Sequence, residues 1–458
     1  MKKIHIIGIE GAGTSALATL YHGLGYEVSG SDDGDGFYAS VLKEAGIPVS
    51  RPFSPGNLPG DADLVVYSTA FTDNPEVVAA RKLGIRTLSY PEAVGELTKE
   101  RMSLLVAGSH GKTTTSAMLA EVLRVGGVEP SAIVGSRVRD WGGSALSGRG
   151  RFFVLEADEY QDKLSHYHPF AAILTSVDWD HPDCFPDERS YEDVFRRFVS
   201  RIPRHGALIY SADSASVGRV AESASCTRLS YGFHESADFR IIGYGTSGAE
   251  GDGGVCSRFS VRHADEDLGE FSLSLPGRHN ARNAAATVAM CSFLRIDTDR
   301  VREALAGFSG TVRRSEFKGS FRGIPVYDDY AHHPEELRAT LAAFREAYPT
   351  RRIVAVFHPH TFTRTKALLS DFAQAFDDAD RVIVLDIYGS ARETEGGVSS
   401  ADLVAGIGRF TPGKAEHIPT IPEAIDTLKV SLDTGDLLLT LGAGDVWRVA
   451  EGVVGAET

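Results

Sequence analysis

The residues best suited to chemistry lie where apolar runs end in polar clusters. The run 104–107 leads into Gly108, Ser109, His110, Gly111, Lys112, Thr113 and Thr114, and helical periodicity follows through Arg124. Strand, glycine-rich turn and helix in that order aim backbone N–H groups and a helix N-terminus at a phosphate chain. In such a loop Lys112 reaches the terminal phosphates, and Thr113 or Thr114 offers a hydroxyl to Mg2+. The full P-loop pattern asks for a glycine where Val106 stands, so this is a shortened loop. A plain glycine-rich turn before a helix is the competing reading.

Two further apolar runs end in acids. Residues 152–155 lead into Glu156, Ala157, Asp158 and Glu159, and residues 171–175 lead to Asp178, Asp180 and His181. Strand C-terminal ends are where an open α/β sheet places its ligand. Carboxylates and an imidazole beside a P-loop are ligands that Mg2+–nucleotide chemistry needs, although acids at these places also cap helices.

The elements that must position these groups fall into three α/β segments. In the first, a strand at 4–7 is followed by a glycine loop with Gly11, Ala12 and Gly13, a helix to Leu24, and a second strand that leads to Asp32. This is the order of a nucleotide-binding unit, in which the glycines admit a pyrophosphate and Asp32 accepts from a ribose or base. Glu10 stands where a dinucleotide fingerprint has its second glycine, and a carboxylate there crowds a pyrophosphate unless it points away, so NAD is not assigned. A strand from Asp63 ends in the hydroxyls of Ser68 and Thr69, and Tyr90 opens a short helix. After the central segment, 238–275 alternates in strand fashion with turns at Gly248, Gly251, Gly253 and Gly254, which predicts an antiparallel insertion. The helix that follows carries His279, Asn280 and Asn283. The two amides share a face, to read an adenine edge or phosphate or to bond loop backbone.

The last third begins with a linker at Arg313. Four strands, at 326–329, 353–357, 382–385 and 437–441, each end in polar residues and predict a second doubly wound domain. Asp329 closes the first of these strands, and His358, His360 and Arg364 follow the second. His332, His333, His358 and His360 lack the spacing of a catalytic zinc motif, and the neighbouring cations suit an anion better.

Bulk properties narrow the function. A chain of 458 residues, at about 150 per domain, suggests three domains. The net charge of −15 argues against sequence-independent nucleic-acid binding, so an anionic substrate needs local cations. Cys184, Cys226, Cys256 and Cys291 are far apart, as befits reduced thiols. There is no apolar run of about 18 residues, so a cytoplasmic protein without a membrane partner is expected, as a monomer or weak homodimer.

Together these residues resemble the Mur ligase family, the ATP-dependent amide-bond ligases of peptidoglycan synthesis, over essentially the whole chain. The likeness rests on the shortened loop 108–115, Glu156 in Glu-Ala-Asp-Glu, His181 in Asp-x-Asp-His, the run from Arg278 through His279 and Asn280 to Asn283, Arg313, and Asp329. Gly11-Ala12-Gly13 and the runs 328–334 and 358–365 are most similar to the branch that adds L-alanine to UDP-N-acetylmuramate. Glu10 and Ser109 depart from the usual glycine and threonine.

The resemblance implies a Rossmann-like N-terminal domain (1–99) for the UDP-sugar and a central P-loop ATPase-type domain (100–310) with a mainly parallel sheet. A C-terminal Rossmann-like α/β domain (311–458) would take the amino acid. It further implies that ATP phosphorylates the muramyl carboxylate and that the alanine amine attacks the acyl phosphate. Gly11, Ala12, Gly13, Asp32, Ser68 and Thr69 would hold the UDP-sugar. The loop 108–114 would hold phosphates, Thr113 and Glu156 one Mg2+, and His181 a second. His279, Asn280, Asn283, Arg313 and Asp329 would contact nucleotide, and His360 and Arg364 the alanine. Domain closure would precede chemistry. The alternatives are a ligase that takes a murein tripeptide, a nicotinamide dehydrogenase, and a nucleotide-binding protein without ligase activity.

Overall fold

A computed structural model describes residues 2–34, 36, 38–181, 184–248, 254–389 and 396–455. Gly251 and Gly253, read as turn residues, lie outside them. Backbone contacts divide the chain into two compact units, residues 1–178, 189–240 and 283–311 in one and residues 179–188, 241–282 and 312–458 in the other.

The first unit carries two sheets. One is five-stranded and fully parallel, in the order Val49–Ser50, Glu27–Ser31, Lys3–Ile7, Leu64–Tyr67 and Thr87–Ser89. Its central strand is buried, which explains the continuous apolar run at 4–7. Helix Ala12–Gly23 follows the glycine loop, and helix Tyr90–Glu100 starts where the sequence places it, closed by a capping box between Ser89 and Glu92.

A buried carboxylate ties this sheet together. Glu76, on helix Pro75–Lys82, accepts from the Ser31 hydroxyl, the Ser54 N–H (2.7 Å) and the Asn57 amide (2.7 Å), with His5 Nε2 at 3.4 Å. Burial alone would raise its pKa, but these partners hold it below the ordinary glutamate value. Because the folded pKa is depressed, the stability it contributes is present above about pH 4.3 and is lost as pH falls through the folded pKa. Glu76→Gln is therefore expected to cost about 2 kcal/mol at neutral pH and to flatten this acid dependence, as read by hydrogen exchange in the first sheet.

The second sheet of this unit places the P-loop strand Met102–Ala107 between Phe152–Glu156 and Ala171–Leu174, both parallel to it. Ala207–Ser211 and Thr227–Gly232 extend the sheet on one side, and Ser131–Val138 with the antiparallel Gly143–Leu146 on the other. Register pairs Val106 with Glu156 and Ala107 with Leu174, so the loop and both acidic clusters leave the same sheet edge.

The second unit holds a six-stranded sheet in the order Glu316–Phe321, Ile324–Asp329, Asp436–Leu441, Arg352–Phe357, Arg381–Val384 and Ala415–His417. All neighbours are parallel except the first pair. The four strands read from sequence are all present. The edge strands were not legible, because Glu316–Phe321 is half-buried and polar and Ala415–His417 is only three residues long. Val255–His263 and Glu266–Leu273 pair antiparallel, as the alternating pattern predicts. Strand Phe239–Gly248 departs from that pattern, since its start runs parallel to Thr227–Gly232. None of the described helices is long and apolar enough to cross a membrane.

Candidate active site

The first unit contains a cavity of about 390 Å3 that joins three of the stretches singled out in the sequence. Gly11, Ala12 and Gly13 line one part, Ser68 and Thr69 another, and Lys112 and Glu156 a third. Groups that the family resemblance assigns to a sugar nucleotide and to a phosphate loop thus share one volume.

The loop geometry follows from its glycines. Gly108 has φ +134°, and a Cβ there would lie 2.3 Å from Thr175 Oγ1. Gly111, at φ +78°, caps helix Lys112–Val125, and a Cβ would meet the Asn283 amide at 2.7 Å. Only glycine fits both conformations and both spaces. Ser109 donates to the Asp178 carbonyl (2.7 Å), accepts the Asp178 N–H (2.8 Å), and lies 2.9 Å from the Tyr191 hydroxyl. A threonine-for-serine difference here therefore concerns loop bracing.

Lys112 Nζ bonds the Gly108 and Ser109 carbonyls and pairs with Glu159 Oε2 at 3.0 Å. Burial alone would lower its pKa, but Glu159, Asp158 and Glu156 outweigh that and hold it above the ordinary lysine value. The ammonium is thus kept charged at the loop. Thr113 Oγ1 donates to Glu156 Oε1 at 2.9 Å, while Glu156 Oε2 accepts the Gly135 N–H. A hydroxyl and a carboxylate side by side at a P-loop are hard oxygen donors of the kind Mg2+ takes.

Glu10 points away from the cavity. Its carboxylate accepts the Gly36 N–H (2.6 Å) and pairs with Arg51, so it anchors the segment after the second strand without crowding the glycine loop. Asp32 does not line the cavity either; its Oδ2 accepts the Glu10 N–H at 2.8 Å and braces the loop from behind.

The second unit gathers the remaining candidates. Arg364 is buried, with Nη2 3.2 Å from Asp180 Oδ1 and no hydrogen-bond partner at Nε. Burial alone would raise the Asp180 pKa, but the Arg364 guanidinium above all holds it well below the usual carboxylate range. His181 has φ +56°, and its Nε2 lies 3.7 Å from Asp180 Oδ2. His360 stacks on Tyr388 at 5.6 Å between ring centres, and His332 stands edge-on to His360 at 6.3 Å. Burial pushes His332 down to about 3, so its ring is neutral. Asp180, His332, His360 and Arg364 thus form one cluster, in which the carboxylate and the guanidinium are buried.

Other candidates brace the framework. Arg313 donates to Asp328 Oδ2 (2.9 Å) and to the carbonyls of Gly442, Ala443 and Gly444, which joins the linker to the turn after the last sheet strand. Asp329 accepts the N–H groups of Ser315 (2.7 Å) and Ala331 (2.8 Å). Neither side chain therefore stands open toward a nucleotide here. Asn280 donates to the Pro276 carbonyl at 2.8 Å, the backbone-bonding alternative for that amide. His279 is half-buried, and desolvation, with Arg282 and Arg314, lowers its pKa to about 4. Cavity residues given no ligand role from the sequence are Thr14, Tyr90, Ile133, Val134, Gly135, Asp158, Lys163 and Tyr167. Only Asp158 carried a local signal, as part of the acidic cluster.

Comparison with known proteins adds three family models along the chain: "Mur ligase family, catalytic domain" at 3–102, "Mur ligase middle domain" at 106–291 and "Mur ligase, glutamate ligase domain" at 313–444. The UDP-N-acetylmuramate–L-alanine ligase of Caldanaerobacter subterraneus is 38% identical over 98% of this chain and 96% of its own length. The enzyme of that name from Solidesulfovibrio magneticus is 40% identical over 98% and 97%. The crystal structure of UDP-N-acetylmuramate–alanine ligase from Thermotoga maritima superposes with a TM-score of 0.83 at 26% identity, over 100% of this chain and 99% of that one.

Proposed function

The chain belongs to the Mur ligase family, and on that premise we propose that it joins L-alanine to the carboxylate of UDP-N-acetylmuramate, splitting ATP to ADP and phosphate. The reaction belongs to peptidoglycan precursor synthesis and takes place in the cytoplasm. The observation that carries this reading is the single cavity in which Gly11–Gly13, Ser68 and Thr69 meet Lys112 and Glu156. It supports a UDP-sugar whose acidic end reaches a phosphate loop.

The mechanism follows from the charges. A carboxylate oxygen of the substrate attacks the γ-phosphorus and ADP leaves, giving an acyl phosphate. The alanine amine then attacks the acyl carbon, loses a proton, and inorganic phosphate departs with the C–O bonding pair. Negative charge gathers in both steps, so positioned cations supply most of the stabilisation. Lys112 holds the β- and γ-phosphates, its ammonium already charged. Thr113 and Glu156 suit one Mg2+, and His181 is assigned to a second; bound there, the metal neutralises phosphate charge. His279 and Asn280 are assigned to the adenine side, and Asn283, beside Gly111, to the phosphate loop. His360 and Arg364 take the amino acid. The corresponding domains are 1–99 for the UDP-sugar, 100–310 for ATP and 311–458 for alanine.

Phosphate release in the presence of ATP, Mg2+ and UDP-N-acetylmuramate tests the proposal. It is expected with L-alanine and expected to be at background with the murein tripeptide L-Ala-γ-D-Glu-meso-diaminopimelate. Release with the tripeptide and none with L-alanine would overturn the choice of amine and favour the tripeptide-joining alternative.

A further inference from the structure

We propose that Lys163 binds the acceptor carboxylate of the sugar nucleotide and so selects the acidic substrate over its uncharged counterpart. This deepens the reading above and rests on it.

Lys112 and Lys163 are the two cationic side chains among the described residues lining the cavity, which also carries the carboxylates of Glu156 and Asp158. An incoming substrate carboxylate is repelled by both acids unless a cation meets it. Glu156 is engaged by Thr113 and the Gly135 N–H, and the phosphate chain claims Lys112. Lys163 remains. Its side chain is 18% exposed, and its ammonium pairs with Asp158 Oδ2 and lies 5.5 Å from the centre of the Tyr160 ring. Asp158 keeps a second donor, the Tyr160 N–H at 3.1 Å, and so can release the lysine without being left bare.

The backbone supplies an independent argument. Gln161 (φ 56°, ψ 34°) and Asp162 (φ 55°, ψ 31°) are consecutive left-handed residues, and neither is glycine. Such a pair persists only where surrounding contacts over-determine it, and strain of this kind gathers at ligand sites. Those contacts are present on both sides. Before the turn, buried Glu159 accepts the Tyr191 hydroxyl at 2.8 Å. After it, Arg201 donates to the carbonyls of Leu164 and Ser165 and Leu164 is buried. The strained turn brings Lys163 back over the strand end that it left at Glu156, and so into the cavity.

The experiment titrates the full chain with UDP-N-acetylmuramate and with UDP-N-acetylglucosamine, which lacks the lactyl carboxyl group. The unmodified protein is expected to prefer the acid, and Lys163→Met to lose about tenfold or more of that preference while binding the uncharged ligand within about twofold. Lys163→Arg is expected to retain the preference. Asp158→Asn, which frees the lysine and keeps the Tyr160 cap, is expected to hold or increase it. Equal weakening of both ligands by Lys163→Met, or of neither, overturns the inference, as does loss of preference in Asp158→Asn matching that in Lys163→Met. Failure of the unmodified chain to bind UDP-N-acetylmuramate overturns instead the proposed function.

Discussion

Lys112→Ala is expected to lower kcat/KM for phosphate release by about 150-fold or more, a loss of at least about 3 kcal/mol of transition-state stabilisation. The figure reflects an ammonium held charged against burial by three carboxylates, at a glycine-rich loop that opens a helix, the setting in which proteins take phosphate. There is a second way to lose activity in this variant. Glu159 is buried and pairs with Lys112 at 3.0 Å, so removing the lysine strands a buried negative charge, which the Tyr191 hydroxyl also meets. The two causes separate in the double variant Lys112→Ala with Glu159→Gln. If stranding were the damage, neutralising Glu159 would restore turnover. The phosphate role predicts that thermal stability recovers and turnover does not. Near-unmodified turnover in Lys112→Ala alone would remove this lysine from the mechanism.

The same loop shows how far the sequence reaches. Its strand, turn and helix were legible because apolar run, glycines and lysine are all local, and the glycines are demanded by φ values and close approaches within a few residues. The acidic strand ends were legible for the same reason. Lys163 was not, because its placement depends on two consecutive left-handed residues, Gln161 and Asp162, that no local glycine announces. Glu10 could be named as an oddity but not oriented, since its partners Gly36 and Arg51 lie 26 and 41 residues away. Arg313 and Asp329 illustrate the reverse limit. The motif around them was plain, yet their hydrogen bonds run to strand ends and turns, which spacing does not reveal. A polar residue's type constrains its chemistry, but its partners decide whether that chemistry meets substrate or backbone.

Arg364→Ala is expected to raise the KM for L-alanine by about 100-fold and to leave formation of the acyl phosphate from ATP and UDP-N-acetylmuramate within about threefold. The asymmetry follows from the side chain's situation. One edge of the guanidinium faces Asp180 at 3.2 Å, while Nε is buried with no hydrogen-bond partner. A buried N–H left unmade costs about 1–3 kcal/mol, so such a donor calls for a ligand. The carboxylate of an amino acid suits it, since charge-assisted pairing to arginine is among the stronger polar contacts. The neutral ring of His332 and the His360–Tyr388 stack stand in the same cluster. Arg364 also holds Asp180 in its ionised form, which gives the rival account, that it only anchors the loop carrying Asp180 and His181. On that account affinity for alanine and acyl-phosphate formation fall off together, and Arg364→Lys, which keeps the charge beside Asp180, repairs both. On the binding account the two steps part, and lysine restores Asp180 but not the affinity for alanine, because a point charge lacks the planar donor fork. Measuring exchange of label between ATP positions without alanine, beside alanine-dependent phosphate release, distinguishes the two.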